Sequence, residues 1–201
     1  MAEPACAAYG FPASSDVRLA VAANATQLRG GSDACGLDPA ACTSGAALAK
    51  GAELVVTERR GDWACAAHVE GEGLRVGWVR AGDVRRTERP SLRPAVGDWA
   101  GRWIHLGGDG EIDIEARGKA AFAKGTATLD ASTPTDQGDI RAAALEGSFT
   151  PGASSWTAPV GDCRVRFARL GSYLVARDEV PTGSASGCGG DGVTFSGIYK
   201  R

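Results

Sequence analysis

The sequence predicts an all-β protein of two domains: a small N-terminal barrel, then an antiparallel barrel or sandwich, both stapled by disulfides. Three observations carry this. Short runs of β-branched and aromatic residues recur along the chain, separated by Gly, Pro, Asp and Ser clusters. The stretch "RRTERPSLRPAVGD" at 85–98, with two Pro and four Arg, reads as a linker. The six cysteines fall four before that stretch and two after it, so pairing within each half leaves none over. The expected layout is a first domain over 1–86, a linker over 87–97 and a second domain over 98–201.

The elements follow in order. "DVRLAVAANATQLRGG" fits either a strand or a helix, with strand preferred, and "GAALAK" a short helical turn or loop. "GAELVVTERRGDWACAAHV" gives β-branched runs on either side of an "RGD" turn, and "LRVGWVRAGDVR" a strand and a turn. Beyond the linker come "WAGRWIHL", "GEIDIEA", "AAFAKGTATLDA", "ALEGSFT", "CRVRFARLG", "SYLVARD" and "GVTFSGIYKR". Ile112 and Ile114 alternate with Glu111, Asp113 and Glu115; Val165 and Phe167 alternate with Arg164, Arg166 and Ala168. That period of two places apolar side chains on one sheet face and charges on the other. Repeated at short spacing, it suggests a closed or nearly closed antiparallel sheet.

Composition bounds the function. With 201 residues, 43% hydrophobic and 23% charged, the chain is ordinary for a globular protein. A net charge of −2 gives no global field toward nucleic acid or a membrane. No apolar run approaches the roughly 18 residues that span a bilayer. An even number of Cys without any C-x-x-C points to disulfides, not zinc, and disulfides to an oxidising compartment, periplasmic or secreted. The opening "MAEPAC" lacks the basic and apolar regions of a leader, so we expect a mature exported chain whose leader was replaced by Met.

No G-x-S-x-G is present, and every Cys has a plausible partner, so no thiolate nucleophile stands out. His68 and His105 are the two histidines, each in a strand, with no third group to complete a triad. Glu111, Asp113 and Glu115 could form a carboxylate pair or a calcium site, but a solvent-facing strand accounts for them more simply. "GGDG" occurs at 107–110 and 189–192 without the tandem array of calcium β-rolls. Both copies carry Asp-Gly, which suits a type I′ hairpin turn. The arginines Arg75, Arg80, Arg85, Arg86, Arg89 and Arg93 read as a solvated linker face or a patch for an anionic polymer. No cofactor or metal is expected, and no catalytic residue.

The first half resembles a bacterial SH3-like domain over about residues 20–86. The matching pieces are Leu28-Arg29-Gly30-Gly31-Ser32, Lys50-Gly51, Val55-Val56, Gly61-Asp62-Trp63 and Gly77-Trp78-Val79. The chain departs from that family by inserting "DACGLDPAAC", where Cys35 and Cys42 would staple an extra loop. Cys6 would then pair with Cys65. Six cysteines leave fifteen connectivities open, so this pairing is an expectation. The resemblance implies a binding module for cell-wall peptides or a partner domain, with a groove near the "GDW" turn. It marks Arg29, Asp62, Trp63 and Trp78 as candidate binding residues. The two indoles also suit the core of a small barrel, where a buried aromatic is a main stabiliser.

The second half resembles the C-terminal β domain of exported proteobacterial proteins, some of which carry lysozyme-inhibitor-like domains elsewhere. "W-x-G-x-W" from Trp99 to Trp103 and the closing "CGGDGVTFSGIY" are the matching pieces. A glycine between two Trp is also similar to small lipid-binding barrels of the lipocalin sort. Cys163 and Cys188 would pin a last strand over Val193–Tyr199 and close the sheet edge. The functional expectation is a non-catalytic exported protein that binds cell-wall material, peptidoglycan above all, or an envelope protein. The alternatives are an inhibitor or immunity factor against a wall hydrolase such as lysozyme, and a carrier of a small apolar ligand.

Overall fold

A computed structural model describes Cys6 and residues 17–30, 45–71, 73–87, 95–130, 140–149, 155–160, 163–179, 188–190 and 192–201. The chain divides into two compact units, Met1–Arg89 and Pro90–Arg201. Both are built from antiparallel β-strands. Cys35, Cys42, Arg89 and Arg93 lie outside the described residues.

The first unit holds β1 (Arg18–Ala22), β2 (Thr26–Gly30), β3 (Gly45–Leu48), β4 (Glu53–Arg60), β5 (Trp63–Glu70), β6 (Gly73–Arg80) and β7 (Val84–Arg86). Their order in the sheet is β3-β2-β6-β5-β4-β1-β7. One face packs Ala20, Leu28, Leu48, Leu54, Val56, Ala64, Ala66 and Val79 into a core. Leu19, Val55, Trp63, Cys65, Ala67 and Trp78 belong to the opposite face by their register, and they too are buried. Hence "ELVV" and "WACAA" read as continuous apolar runs rather than alternating ones.

The segment "GAALAK" is a correction. Its first four residues, Gly45–Leu48, form β3, paired with β2 from Thr26↔Leu48 to Arg29↔Gly45, and Lys50 alone lies in a turn. Small Ala-rich residues carry little strand propensity of their own, so the neighbour's ladder decides their conformation.

β4 contains a bulge. Val56 pairs with Ala66, yet Arg59 pairs with Ala64, so one extra residue sits between them. A one-residue insertion reverses which face each later side chain occupies. Val56 points into the core, and without the bulge Arg60 would share its side. With the bulge, Arg60 stands opposite Trp63 on the other face.

The second unit opens with a single-turn helix, α1 (Val96–Trp99), whose start is held by the Asp98 carboxylate accepting the Ala95 N–H at 2.8 Å. Eight strands follow: β8 (Gly101–His105), β9 (Gly110–Arg117), β10 (Ala120–Asp130), β11 (Ile140–Phe149), β12 (Ser155–Val160), β13 (Cys163–Leu170), β14 (Tyr173–Glu179) and β15 (Gly197–Lys200). Their order is β11-β10-β9-β8-β15-β14-β13-β12. The first and last strands are therefore neighbours, joined by Tyr199↔His105 and Lys200↔Ile104. β11 and β12 form the two ends of the sheet and also run beside one another, so the sheet curls round on itself.

Inward residues fill this sheet. Trp99, Trp103, Ile112, Ile114, Leu145, Phe149, Val165, Phe167, Leu174, Phe195 and Tyr199 form one cluster. Ala121, Ala123 and Ala127 on β10 leave room for these larger neighbours. Trp99 meets Phe149 edge-on at 5.5 Å between ring centroids.

Two bridges are formed, Cys6–Cys65 in the first unit and Cys163–Cys188 in the second. The last strand is shorter than expected: only Gly197–Lys200 is strand, and residues 193–196 are an irregular approach to it. The first "GGDG" stretch is a correction too. In the first, the positive φ falls on Gly107 (84°), while Gly110 already begins β9, so Asp109-Gly110 is not a type I′ centre. In the second, Gly190 and Gly192 take positive φ, and the Val193 N–H closes a turn on the Gly190 carbonyl at 2.8 Å.

Candidate functional site

Trp63, Trp78 and Arg29 come together on the face of the first sheet opposite its core. The β5–β6 hairpin sets Trp63 against Arg80 and Cys65 against Trp78. β2 then brings Arg29 opposite Trp78. That last pairing depends on Gly77. A Cβ there would lie 2.1 Å from the Arg29 carbonyl oxygen, so only glycine lets β2 approach β6 this closely.

The result is a layer of guanidinium groups on indoles. Arg29 Cζ lies 5.1 Å and Arg80 Cζ 4.4 Å from the Trp63 ring centroid. Arg60 Cζ lies 5.4 Å from the Trp78 ring. These are cation–π distances. The indoles are 7% and 2% exposed, so they are the floor, while Arg80 is exposed at the rim. Arg60 also pairs with Glu58 at 3.4 Å. The bridge from Cys65 holds buried Cys6 beside Trp78's strand partner.

Asp62 stands apart from this layer. It sits on the exposed turn before Trp63, and its backbone carbonyl accepts the Ala81 N–H at 2.8 Å. Arg60 and Arg80 join the site although the motif had not marked them. Arg80 had a signal: pairs in a hairpin are symmetric about its turn, so placing the turn at 71–72 puts Trp63 against Arg80. Arg60 had none, because its side depends on the bulge.

The other sequence candidates separate. Glu111, Asp113 and Glu115 face outward from β9 between buried Ile112 and Ile114. Arg102 bonds to Glu111, and Arg117 to Glu115 at 2.9 Å. Among the described residues no group of three His, Cys, Asp or Glu is placed to hold a metal. His68 donates from Nδ1 to the Glu53 carbonyl at 2.9 Å, a bond between neighbouring strands.

His105 is the last residue of β8, half-buried and edge-on to Tyr199 at 4.9 Å. Its Nε2 is 3.3 Å from the Ser196 carbonyl, and Gly108 and Gly197 lie so close that a Cβ at either would strike the ring. Burial holds this imidazole below its usual value.

Sequence reasoning also missed Asp178, at the end of β14. Its Oδ2 accepts the Cys188 N–H and the Thr194 hydroxyl, each at 2.8 Å, and Oδ1 accepts the Phe195 N–H at 3.2 Å. Its own N–H donates to Ser196 Oγ at 2.9 Å. Burial raises this carboxyl above its usual value, and the three donors oppose that rise. The Tyr199 hydroxyl, buried and bonded to the Phe195 carbonyl at 2.9 Å, is pushed far up by burial. These groups fasten the segment before β15.

No protein-family model, no curated protein and no solved structure matches this chain.

Proposed function

We propose that this chain is a non-catalytic binding protein of the bacterial cell envelope, periplasmic or secreted, that holds cell-wall material on the face bearing Arg29, Trp63, Arg80 and Trp78. The observation that carries the reading is the double stacking on Trp63, with guanidiniums 5.1 and 4.4 Å from one indole. Stacked arginines offer flat apolar surface together with fixed donors, which suits a polymer of sugars and acidic peptides. The two bridges support an oxidising compartment. Asp62, at the adjacent turn, would flank the bound strand. The carrier alternative asks for an apolar cavity, and the packed cluster from Trp99 to Tyr199 supports it less.

The test is co-sedimentation with purified, insoluble peptidoglycan. The protein is expected in the pellet, and the Arg80→Glu variant in the supernatant. A native protein that stays wholly in the supernatant overturns the reading. A stoichiometric complex with a wall hydrolase that stops its turnover would establish the inhibitor alternative instead.

A further inference from the structure

We infer that the arginine layer on Trp63 is an oxyanion site, taking a phosphate or carboxylate group. The inference deepens the proposed function by naming the chemistry recognised at the same face, and it rests on that reading only for the choice of face.

Arg80 carries the argument. It is exposed; its backbone is paired in the β5–β6 ladder, and among the described residues its guanidinium contacts the Trp63 ring alone. The cation–π attraction to a ring does not use up the N–H donors of a guanidinium, which remain available to a second partner. An arginine held this way has lost much of its rotamer freedom before any ligand arrives. Its donors match the paired oxygens of a carboxylate or phosphate.

A second observation concerns its neighbours. Arg29 lies over the same ring, so two guanidinium carbons are less than about 10 Å apart by the cation–π distances involved. Arg60 stands across the strand from Trp63 on the same face, placed there by the bulge. Three cations therefore gather on one patch. Glu58 pairs with Arg60. Arginines gathered on one face raise the local positive potential, which favours an anion there. The bulge is the device that adds the third cation, which fits its tendency to re-aim side chains at functional sites.

The experiment titrates the full, oxidised protein with inorganic phosphate and, separately, with sodium acetate, at constant ionic strength. The readouts are the Trp63 indole and Arg80 Nε resonances. We expect a saturable shift of both with at least one anion, and the arm that saturates first names the preferred group. Arg80→Gln should weaken that binding by about tenfold, as loss of a charge-assisted donor pair does. Arg164→Gln, on β13 of the other unit, should leave it unchanged. Linear, unsaturated shifts with both anions, or the same saturation in Arg80→Gln, overturn the oxyanion site. Saturable phosphate or acetate binding without sedimentation on peptidoglycan sinks the envelope reading and leaves this site standing. Sedimentation without anion binding does the reverse.

Discussion

Arg201 lays its guanidinium 4.9 Å from the ring centroid of Trp103. The same guanidinium donates from Nη1 to the Ala100 carbonyl at 2.9 Å, and the Trp103 indole donates to the Trp99 carbonyl at 2.9 Å. One arginine beyond the last strand thus locks the entry to the first strand of its unit. Gly101 makes room for it. Its φ is +135°, and a Cβ there would lie 2.9 Å from Arg201 Cδ. This accounts for the glycine of "W-x-G-x-W". Arg201→Ala should lower the stability of the second unit by about 1–2 kcal/mol, from the lost stacking and hydrogen bond. Urea unfolding followed by tryptophan fluorescence measures it; an unchanged midpoint would show that the lock contributes nothing.

Gly77→Ala tests the close approach of β2 and β6. A methyl 2.1 Å from the Arg29 carbonyl cannot be accommodated without moving a strand. The expected cost is about 2–3 kcal/mol, as for other overpacked sites. The near-ultraviolet circular dichroism of Trp63 and Trp78 should change with it, because Arg29 is drawn off its ring. Unaltered spectra and midpoint would refute this account of the glycine.

Asp178→Ala strands three donors: the Cys188 and Phe195 N–H groups and the Thr194 hydroxyl. Leaving buried donors unpaired should cost about 2–4 kcal/mol. The pH dependence has a definite sign. The folded carboxyl titrates above its unfolded value of 3.8, so its contribution is fully present below that value and is lost as pH rises through the folded one. Asp178→Asn should remove this downward trend. Denaturant midpoints across the acid range decide it, and a trend that persists in the variant excludes Asp178 as its source.

His105 gives the opposite slope. Its folded value is depressed below the unfolded 6.5, so its contribution is present above 6.5 and is lost as pH falls toward the folded value. The second unit should therefore weaken on mild acidification, and His105→Gln should weaken less. Ring-proton chemical shifts of His105 that titrate at or above 6.5 would contradict the burial argument.

Replacing both Cys163 and Cys188 by Ser should cost about 3.5 kcal/mol by the loop-entropy model, for a separation of 25 residues. Hydrogen exchange should rise first at residues 188–190 and 192–200, since that bridge and Asp178 together hold the approach to β15. Protection that falls first in β9–β11 instead would relocate the weak point.

Much of the fold was legible in the sequence because it is local. The alternation of Ile112 and Ile114 with Glu111, Asp113 and Glu115 survives unchanged in β9. The two bridges agree with the expected pairs, since each joins cysteines of one half. What escaped was set by distant partners. "GAALAK" became a strand because β2 lies beside it, and Arg60 changed sides through a bulge that no periodicity announces. Asp178 looked like one charge at the end of "YLVARD", and its role exists only once Cys188, Thr194 and Phe195 are brought back to it.

The pairing of β8 with β15 has a mechanical side. Because these strands are antiparallel, with Lys200 against Ile104 and Tyr199 against His105, the start of β8 and the end of β15 lie at the same end of the ladder. Tension applied through Ala100 and Arg201 would load that pair like the two halves of a zip, one hydrogen bond at a time. The seam where the second sheet joins its first strand to its last is thus the place where pulling opens it, and the Arg201–Trp103 stack is the tab at the top of that seam.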